Sequence, residues 1–477
     1  MRKTDVKQLV PSLLVLLMVG CKVGPTYQRP QVAVLAQFPD QAKLEAASFA
    51  DQPWWQVFGD PVLKDLIGQA LEHNYDVRTA IARVAEYRAR AGIERSDYYP
   101  DFNLAAGYTR GRNSDYVPGG GAAGNAMSVQ ASFSWELDLW GRLRRLNEAS
   151  QADYLASQDV RRGVYLATAA QVAQAYFELR ELDARLSLAQ ANTRAFQTTY
   201  DMFNRRFQGG ASSALEIDQA EAALGDAQGV IPDLERQIGA QENLLSFLVG
   251  RNPGPIPRGL GLDAQPLPPL VPAGIPSVLL ERRPDVREAE QQLVAANAKV
   301  GVAQANYFPT LSLTGMLGGY SHDADELFGR GKEWSLGPVL NFAPLQGPRL
   351  KYQKAAAVAQ WEQAKTHYEA TVSGTFREVA TLLTAYQKLA ELETLRARTV
   401  KAHQESVRQA TLRYTSGLAN YFEVLDAQQA LFPAQINLAQ ARRSRLVTLV
   451  QLYKALGGGW NLKDPGDPGA WAAPKPQ

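Results

Sequence analysis

Ser128-Val129-Gln130-Ala131-Ser132-Phe133-Ser134-Trp135-Glu136-Leu137-Asp138-Leu139 alternates without a break between polar and apolar side chains. Successive side chains of a strand point to opposite faces. Val129, Ala131, Phe133, Trp135, Leu137 and Leu139 therefore line one face, and Ser128, Gln130, Ser132, Ser134, Glu136 and Asp138 line the other. Apolar outside and polar inside over about ten residues is the signature of a strand with lipid on one side and water on the other. Phe102, Leu104, Ala106 and Tyr108 alternate in the same way just upstream. A half-buried hairpin on a soluble domain has the same local pattern, so the rest of the chain has to decide between the two.

The chain is a tandem duplication. Asp76-Val77-Arg78 returns as Asp285-Val286-Arg287, Gly92 as Gly301, and Tyr99-Pro100 as Phe308-Pro309, all at a spacing of 209. Gly141 returns as Gly347, 206 residues on. Arg206-Phe207 matches Arg413-Tyr414, Gly210 matches Gly417, and Glu216, Ala220 and Leu224 match Glu423, Ala427 and Leu431, at a spacing of 207. Collinear matches at near-constant spacing indicate repeated supersecondary units. The strand theme recurs as Leu311, Leu313, Trp334, Leu336, Leu340 and Phe342. Four strands cannot close a barrel, because the smallest membrane barrels have about eight and an open edge in lipid leaves backbone groups unpaired. Three chains of four strands would give a twelve-stranded pore.

A very long helical stretch follows each strand pair, residues 144–208 and 350–415, with no proline in either and Gly163 and Gly374 as the glycine interruptions. Val172, Tyr176, Leu179, Leu182, Leu186 and Ala189 step by three or four, as do Leu382, Tyr386, Leu389, Leu392 and Leu395. Such a helix is about 95 to 100 Å long, suited to crossing a periplasm. The shorter helices of each half together nearly match one long helix, so they can stack end to end beside it. Pro232 and Pro433 fall inside the later ones. Residues 251–276 carry eight prolines and form an extended connector.

The start of the chain reads as an export signal: Arg2 and Lys3, then an apolar run from Leu9 to Val19 too short to span a bilayer. Cys21, the single cysteine, follows in Leu17-Met18-Val19-Gly20-Cys21, which resembles the lipobox of bacterial lipoproteins. A thioether-linked diacylglycerol at Cys21 would anchor the chain in lipid. Lys22 leaves sorting to the outer membrane permitted. One cysteine excludes an intrachain disulfide, and the four scattered histidines have no zinc-ligand spacing. Lys and Arg total 50 against 48 Asp and Glu, with no basic stripe for nucleic acid. Neither a cofactor nor a metal is expected.

Several stretches together resemble the TolC-like outer membrane factors, in the lipoprotein branch typified by OprM. They are Cys21-Lys22-Val23-Gly24-Pro25-Thr26-Tyr27, Trp54-Trp55, Phe58-Gly59-Asp60-Pro61, Trp135-Glu136-Leu137-Asp138-Leu139-Trp140-Gly141-Arg142, Glu281-Arg282-Arg283-Pro284-Asp285-Val286 and Leu456-Gly457-Gly458-Gly459-Trp460. The resemblance covers nearly all of the mature chain. It implies a membrane β-barrel plus α-barrel: a homotrimer with a twelve-stranded barrel, a twelve-helix periplasmic tunnel and an equatorial belt. It also implies a periplasmic adaptor (membrane fusion) protein and an inner-membrane pump, often of the resistance-nodulation-division type, expelling drugs or other toxic compounds across the outer membrane.

The expected division is a signal peptide at 1–20 and an anchor with N-terminal equatorial segment at 21–73. The first repeat, 74–250, has strands at about 101–112 and 127–140, then helices 144–208 and 214–249. The connector, 251–282, leads to a second repeat, 283–460, with strands at about 309–320 and 333–343 and helices 350–415 and 421–456. A tail closes the chain at 461–477.

The turns between the helices, 208–214 and 415–421, hold the small residues Gly209, Gly210, Ala211, Ser212 and Gly417, expected to dock the adaptor as well as to make tight turns. Phe422 and Asp426 are four apart and share a helix face, so threefold symmetry sets an apolar ring one turn from an acidic ring. The resembling family closes its periplasmic end at these positions. It ties neighbouring helices through positions matching Arg413 and Tyr414, and Asp218 is an acidic candidate partner for Arg413.

Three rival readings share parts of this pattern. For an enzyme, the nearest motif is Gly119, Gly121 and Gly124, which lie in a glycine- and alanine-rich hairpin tip rather than between a strand and a helix, and Glu136 and Asp138 face a lumen rather than a pocket. A purely structural coiled-coil lipoprotein explains the anchor and helices but not the amphipathic strands. A channel serving protein secretion keeps the same architecture.

Overall fold

The computed structural model describes residues 22–38, 59–112, 114–116, 121–268, 272, 274, 276–342 and 346–458. The expectations for 1–20, Cys21, Trp54-Trp55 and 461–477 lie outside these residues. A first helix, α1 (Pro61–His73), precedes two copies of one order of elements. The first copy is α2 (Tyr75–Ser96), β1 (Asp101–Arg112), β2 (Ala123–Leu137), α3 (Arg142–Gln208) and α4 (Ala214–Leu248). The second is α5 (Pro284–Ala305), β3 (Thr310–Ser321), β4 (Lys332–Asn341), α6 (Gly347–Thr415) and α7 (Phe422–Ala455). With 67 and 69 residues, α3 and α6 are each about 100 Å long. No described helix is long and apolar enough to cross a membrane.

The chain divides into two units, and apart from the one at Gln31 their boundaries fall within helices. One holds the sheet, with residues 83–158 and 288–370 and the segment up to Gln31. Its strands are antiparallel in the order β1-β2-β3-β4, so the β2–β3 ladder, from Met127↔Ser321 to Leu137↔Leu311, joins the two repeats. The helices below pack through small side chains: Ala149 and Ala152 of α3 meet Ala295 and Ala298 of α5, letting the backbones approach closely.

The other unit holds α1 and, of the long helices, residues 159–208 of α3 and 371–415 of α6. Leu63, Leu66, Ile67 and Ala70 form one buried face of α1. The seam of α3 is buried at Val172, Tyr176, Leu179, Leu182 and Ala189 and meets Leu234 of α4. The seam of α6 departs from expectation. Its buried line runs through Val372, Phe376, Val379, Leu383 and Tyr386, while Leu392 and Leu395 are 38% and 59% exposed. Continuing that line from Tyr386 by two such steps, seven residues, leads to Glu393, which pairs with Arg442 and Arg445 of α7, so the two leucines lie on another face.

Equivalent joints close the two repeats. Asn74 caps α2 by accepting from Asp76 N and Val77 N, and its amide donates to the Leu248 carbonyl at the end of α4, 2.8 Å away. In the second repeat Arg283 takes this place: it donates to the Ala455 carbonyl at the end of α7, at 2.8 Å, and pairs with Asp285 and Glu378. Burial alone would raise the Asp285 pKa, but the Arg283 guanidinium holds it below the usual carboxylate range. These joints stack α4 on α2 and α7 on α5.

Among its described residues the connector has two short 3₁₀ turns, Leu262–Ala264 and Pro276–Val278, and a single helical turn, Leu279–Arg282. Prolines cannot donate, so its backbone is satisfied by side chains from the helices. Ser246 Oγ donates to Gly254 O, Glu242 accepts from Ile256 N, Arg180 donates to Leu260 O and Arg442 to Leu262 O. Asp60 is the centre of this web. Fully buried, it caps α1 at Val62 N and Leu63 N and accepts from Tyr176 OH, Leu260 N and the Gln265 amide.

Candidate channel wall and gate

The ladder registers decide what the sheet presents. Phe102 pairs with Phe133, Leu104 with Ala131, Trp135 with Leu313, Leu137 with Leu311, Leu317 with Trp334 and Leu311 with Leu340. Directly opposed residues share a face, so the apolar positions of all four strands form one continuous surface. It is exposed: Phe102 75%, Leu104 74%, Trp334 72% and Leu340 64%. An apolar face this broad lies far beyond the scattered apolar residues of an ordinary soluble surface. The opposite face carries Asn103, Ser128, Gln130, Ser132, Ser134, Ser312, Thr314, Glu333 and Ser335, with Met316 and Val339 among its exceptions. Among the described residues, the outer edges of β1 and β4 have no partner strand.

The strand-to-helix junction corrects one expectation. Asp138 and Glu136 are not free lumenal carboxylates. The return strand, expected to reach residue 140, stops at Leu137, because Asp138 turns back to accept from Leu143 N at 3.1 Å and Arg144 N at 3.0 Å, capping α3. It also pairs with Arg144, and Glu136 pairs bidentately with Arg142 at 2.9 and 2.6 Å. Trp140 stacks on Phe308 at 4.6 Å and donates its indole N–H to Pro309 O. At the other end of β2, Gly124 lies inside the strand, so the glycine run is no phosphate loop; Gly119 is outside the described residues.

At the far ends of the long helices, α3 and α6 finish alike. Gly210 and Gly417 adopt positive φ (74° and 73°), and the following amides, Ala211 N and Leu418 N, bond back to Arg206 O and Arg413 O. Gly209 N also bonds back, to Arg205 O. Ser213 and Glu216 then form a capping box that starts α4, and the Ser212 hydroxyl donates to Glu216 at 2.7 Å. Burial of Glu216 is slight, and these bonds hold its pKa low.

Phe422 opens α7 and is 63% exposed; Asp426, one turn on, is also exposed. Arg413 pairs with Glu423 at 3.2 Å, and Asp218 sits on the exposed side of α4. Tyr414 accepts from Arg206. The residue that gathers this end was not singled out from the sequence. Tyr421 bonds Thr199 through its hydroxyl at 2.6 Å and packs edge-on against Phe203 (4.8 Å) and Tyr414 (5.4 Å). Burial raises its pKa, so the hydroxyl stays protonated. A cleft of ≈ 190 Å³ between Phe203, Glu216, Ala220, Tyr421, Phe422 and Leu425 separates the two hairpin ends. No described group of His, Cys, Asp and Glu could hold a metal.

The model of the outer membrane efflux protein family matches residues 66–251 and 275–458, one repeat each, and skips the connector. The chain belongs to this outer membrane efflux protein family. The probable efflux pump outer membrane protein TtgC of Pseudomonas putida is 35% identical over 451 residues, covering 92% of this chain and 93% of that one. The cation efflux system protein CusC of Escherichia coli is 32% identical, covering 95% and 99%. Among solved structures, the open state of the Neisseria gonorrhoeae MtrE outer membrane channel aligns with a TM-score of 0.83 at 32% identity, covering 92% and 98%. The efflux protein described here therefore has the TolC/OprM-type channel fold and is an outer-membrane efflux channel, not an enzyme.

Proposed function

We propose that three copies of this chain close a twelve-stranded barrel over a twelve-helix tunnel, anchored by lipid at Cys21. The pore passes toxic small molecules delivered by a periplasmic adaptor and an inner-membrane pump of the resistance-nodulation-division type. The observation that carries the proposal is the sheet: one broad exposed apolar face and two open edges, which in lipid demand pairing with further copies. Relatives named for toluene, solvent and cation efflux favour small toxic compounds over secreted protein as cargo. Deleting the gene tests this: sensitivity to solvents, drugs or metals should rise while the secreted-protein profile stays constant, and the converse would assign the channel to protein secretion.

The gate is placed at Phe422 and Asp426, with Arg413 and Tyr414 holding the end shut. Three Asp426 carboxylates around an axis attract cations, so Asp426→Ala should lower the cation-to-anion permeability ratio. Arg413→Ala, which breaks the pair with Glu423, should raise single-channel conductance. Bilayer recordings in which both variants match the parent would remove the gate from this position.

Adaptor docking is placed at Gly209, Gly210, Ala211, Ser212 and Gly417. Ser212→Trp should lower efflux severalfold while trimer yield is kept, because the bonds of Ser213 and Glu216 that start α4 remain. Full efflux together with unchanged adaptor cross-linking would remove docking from this turn.

A further inference from the structure

The segment directly after Cys21 is gripped more tightly than a surface tether needs. Arg145, at the start of α3, is 2% exposed. Its guanidinium donates to three consecutive carbonyls, Val23 O at 3.2 Å, Gly24 O at 3.1 Å and Pro25 O at 2.9 Å, and to Glu148 at 3.0 Å. Val23 N donates to Trp140 O, Lys22 pairs with Glu148 at 2.7 Å, and Asn297 donates to Pro25 O. Farther along, Tyr27 and Arg29 both reach Glu290. Residues 22–29 are thus a strap seated between α3 and α5, within the sheet-bearing unit.

The two repeats reveal what the cradle is for. Gly301 of α5 corresponds to Gly92 of α2, yet a Cβ on Gly92 would meet nothing within 4 Å. One on Gly301 would lie 2.7 Å from Arg145 Nε, and a Cβ on Gly24, whose φ is +101°, would lie 2.5 Å from Gly301 Cα. At the 206 spacing Arg145 itself corresponds to Lys351, which is exposed. Buried arginine and crowded glycine therefore occur only in the copy of each position that touches the strap. Without the strap, the guanidinium would keep Glu148 and lose three acceptors, a costly state for a buried cation.

We propose that Arg145 is a positioning residue that, with Gly301 and Gly24, clamps residues 22–29 and so fixes where the N-terminal lipid anchor leaves the channel, at the Trp140-Gly141 junction. Lys22 Cα lies 3.1 Å from where a Gly141 Cβ would be, so a group carried one residue earlier is tethered there. This rests on the anchoring proposed above.

The test is limited trypsin digestion of the intact channel in detergent, following the Lys22–Val23 bond by mass. Arg29 precedes Pro30, so cleavage at Lys22 is the one tryptic event expected within the strap. Gly301→Ala and Arg145→Gln should speed this cleavage about tenfold or more, since cutting tracks the population of the open strap. Arg145→Lys should be intermediate, and Gly92→Ala should behave as the parent, with the rest of each digest unchanged. Gly301→Ala, which retains Arg145, decides the matter if Arg145→Gln does not accumulate. Parental cleavage rates in Gly301→Ala, or acceleration shared equally by every tryptic site, would overturn the clamp. A parent whose Cys21 carries no acyl group would refute the anchoring alone, because the same bond still reports the strap.

Discussion

Asp60→Ala should lower the stability of the folded protein by about 3–5 kcal/mol, because several buried donors lose their acceptor at about 1–3 kcal/mol each. The carboxylate is fully buried and accepts five hydrogen bonds, from Val62 N, Leu63 N, Tyr176, Leu260 N and Gln265. Its negative charge is also favoured by the N-terminus of α1, where it caps the helix. Removing it leaves the Leu260 amide, the Tyr176 hydroxyl and one Gln265 N–H without their acceptor, while Gln265 keeps Leu260 O, and it cuts the direct bonds between α1 and the connector. Asp60→Asn keeps the shape and should cost less. Burial alone would raise the Asp60 pKa, but the bonds from Gln265, Tyr176, Val62 and Leu260 prevail and lower it. A lowered folded-state pKa means that its contribution is present above the unfolded value of about 3.9 and is lost as pH falls through the folded value. The gap in melting temperature between parent and Asp60→Ala should therefore be constant from neutral pH down to about 5 and begin to narrow only below about 4. A gap that closed near neutrality would point to another group.

Gly250→Ala should be nearly as damaging. Gly250 ends α4 with φ 73°, and an added Cβ would be driven into the His73 carbonyl, 2.7 Å from its carbon, at the joint where Asn74 reaches Leu248. The left-handed conformation alone costs an L-residue about 1–2 kcal/mol, and the backbone clash adds to it. Gly457, the equivalent position of the second repeat, has φ 69°, but its nearest neighbour at 2.9 Å is Arg282 Cγ, a side-chain atom that can move. Gly210 has φ 74° and open space. Melting should thus rank Gly250→Ala as worst, Gly457→Ala next and Gly210→Ala least, with Gly210→Ala losing only about 1 kcal/mol. Equal losses at Gly250 and Gly210 would mean that the joint bears no load.

What could be seen in the sequence follows the range of the forces involved. Strand alternation and helix steps repeat every few residues, so the apolar faces of β1 to β4 and the seam of α3 were legible, and the duplication made each half a check on the other. Asp60 was not. Its partners lie 116, 200 and 205 residues away, and such a knot leaves no period. Its mark, Gly59-Asp60-Pro61, was visible only as a piece of family resemblance. Tyr421 was overlooked for a similar reason: its partners Thr199 and Phe203 belong to the other repeat. Leu392 and Leu395 fitted the helical step, but three- and four-residue steps accumulate a choice of phase, and the burial of Leu383 and Tyr386 selected another line. Asp138 alternated as a strand residue should, yet the amides of α3 needed an acceptor more than the lumen needed a charge.

Pairing of β1 of one copy with β4 of the next is what the proposed pore requires. It is tested most directly by cysteine cross-linking across that edge, pairing Asn103→Cys on β1 with Glu333→Cys, Ser335→Cys, Gly337→Cys or Asn341→Cys on the same face of β4, in channels that are then reconstituted for conductance. At least one pair should yield covalent dimers and trimers, with nothing larger, and the cross-linked trimer should conduct ions. Monomers across the whole panel, or bands extending beyond three copies, would contradict it.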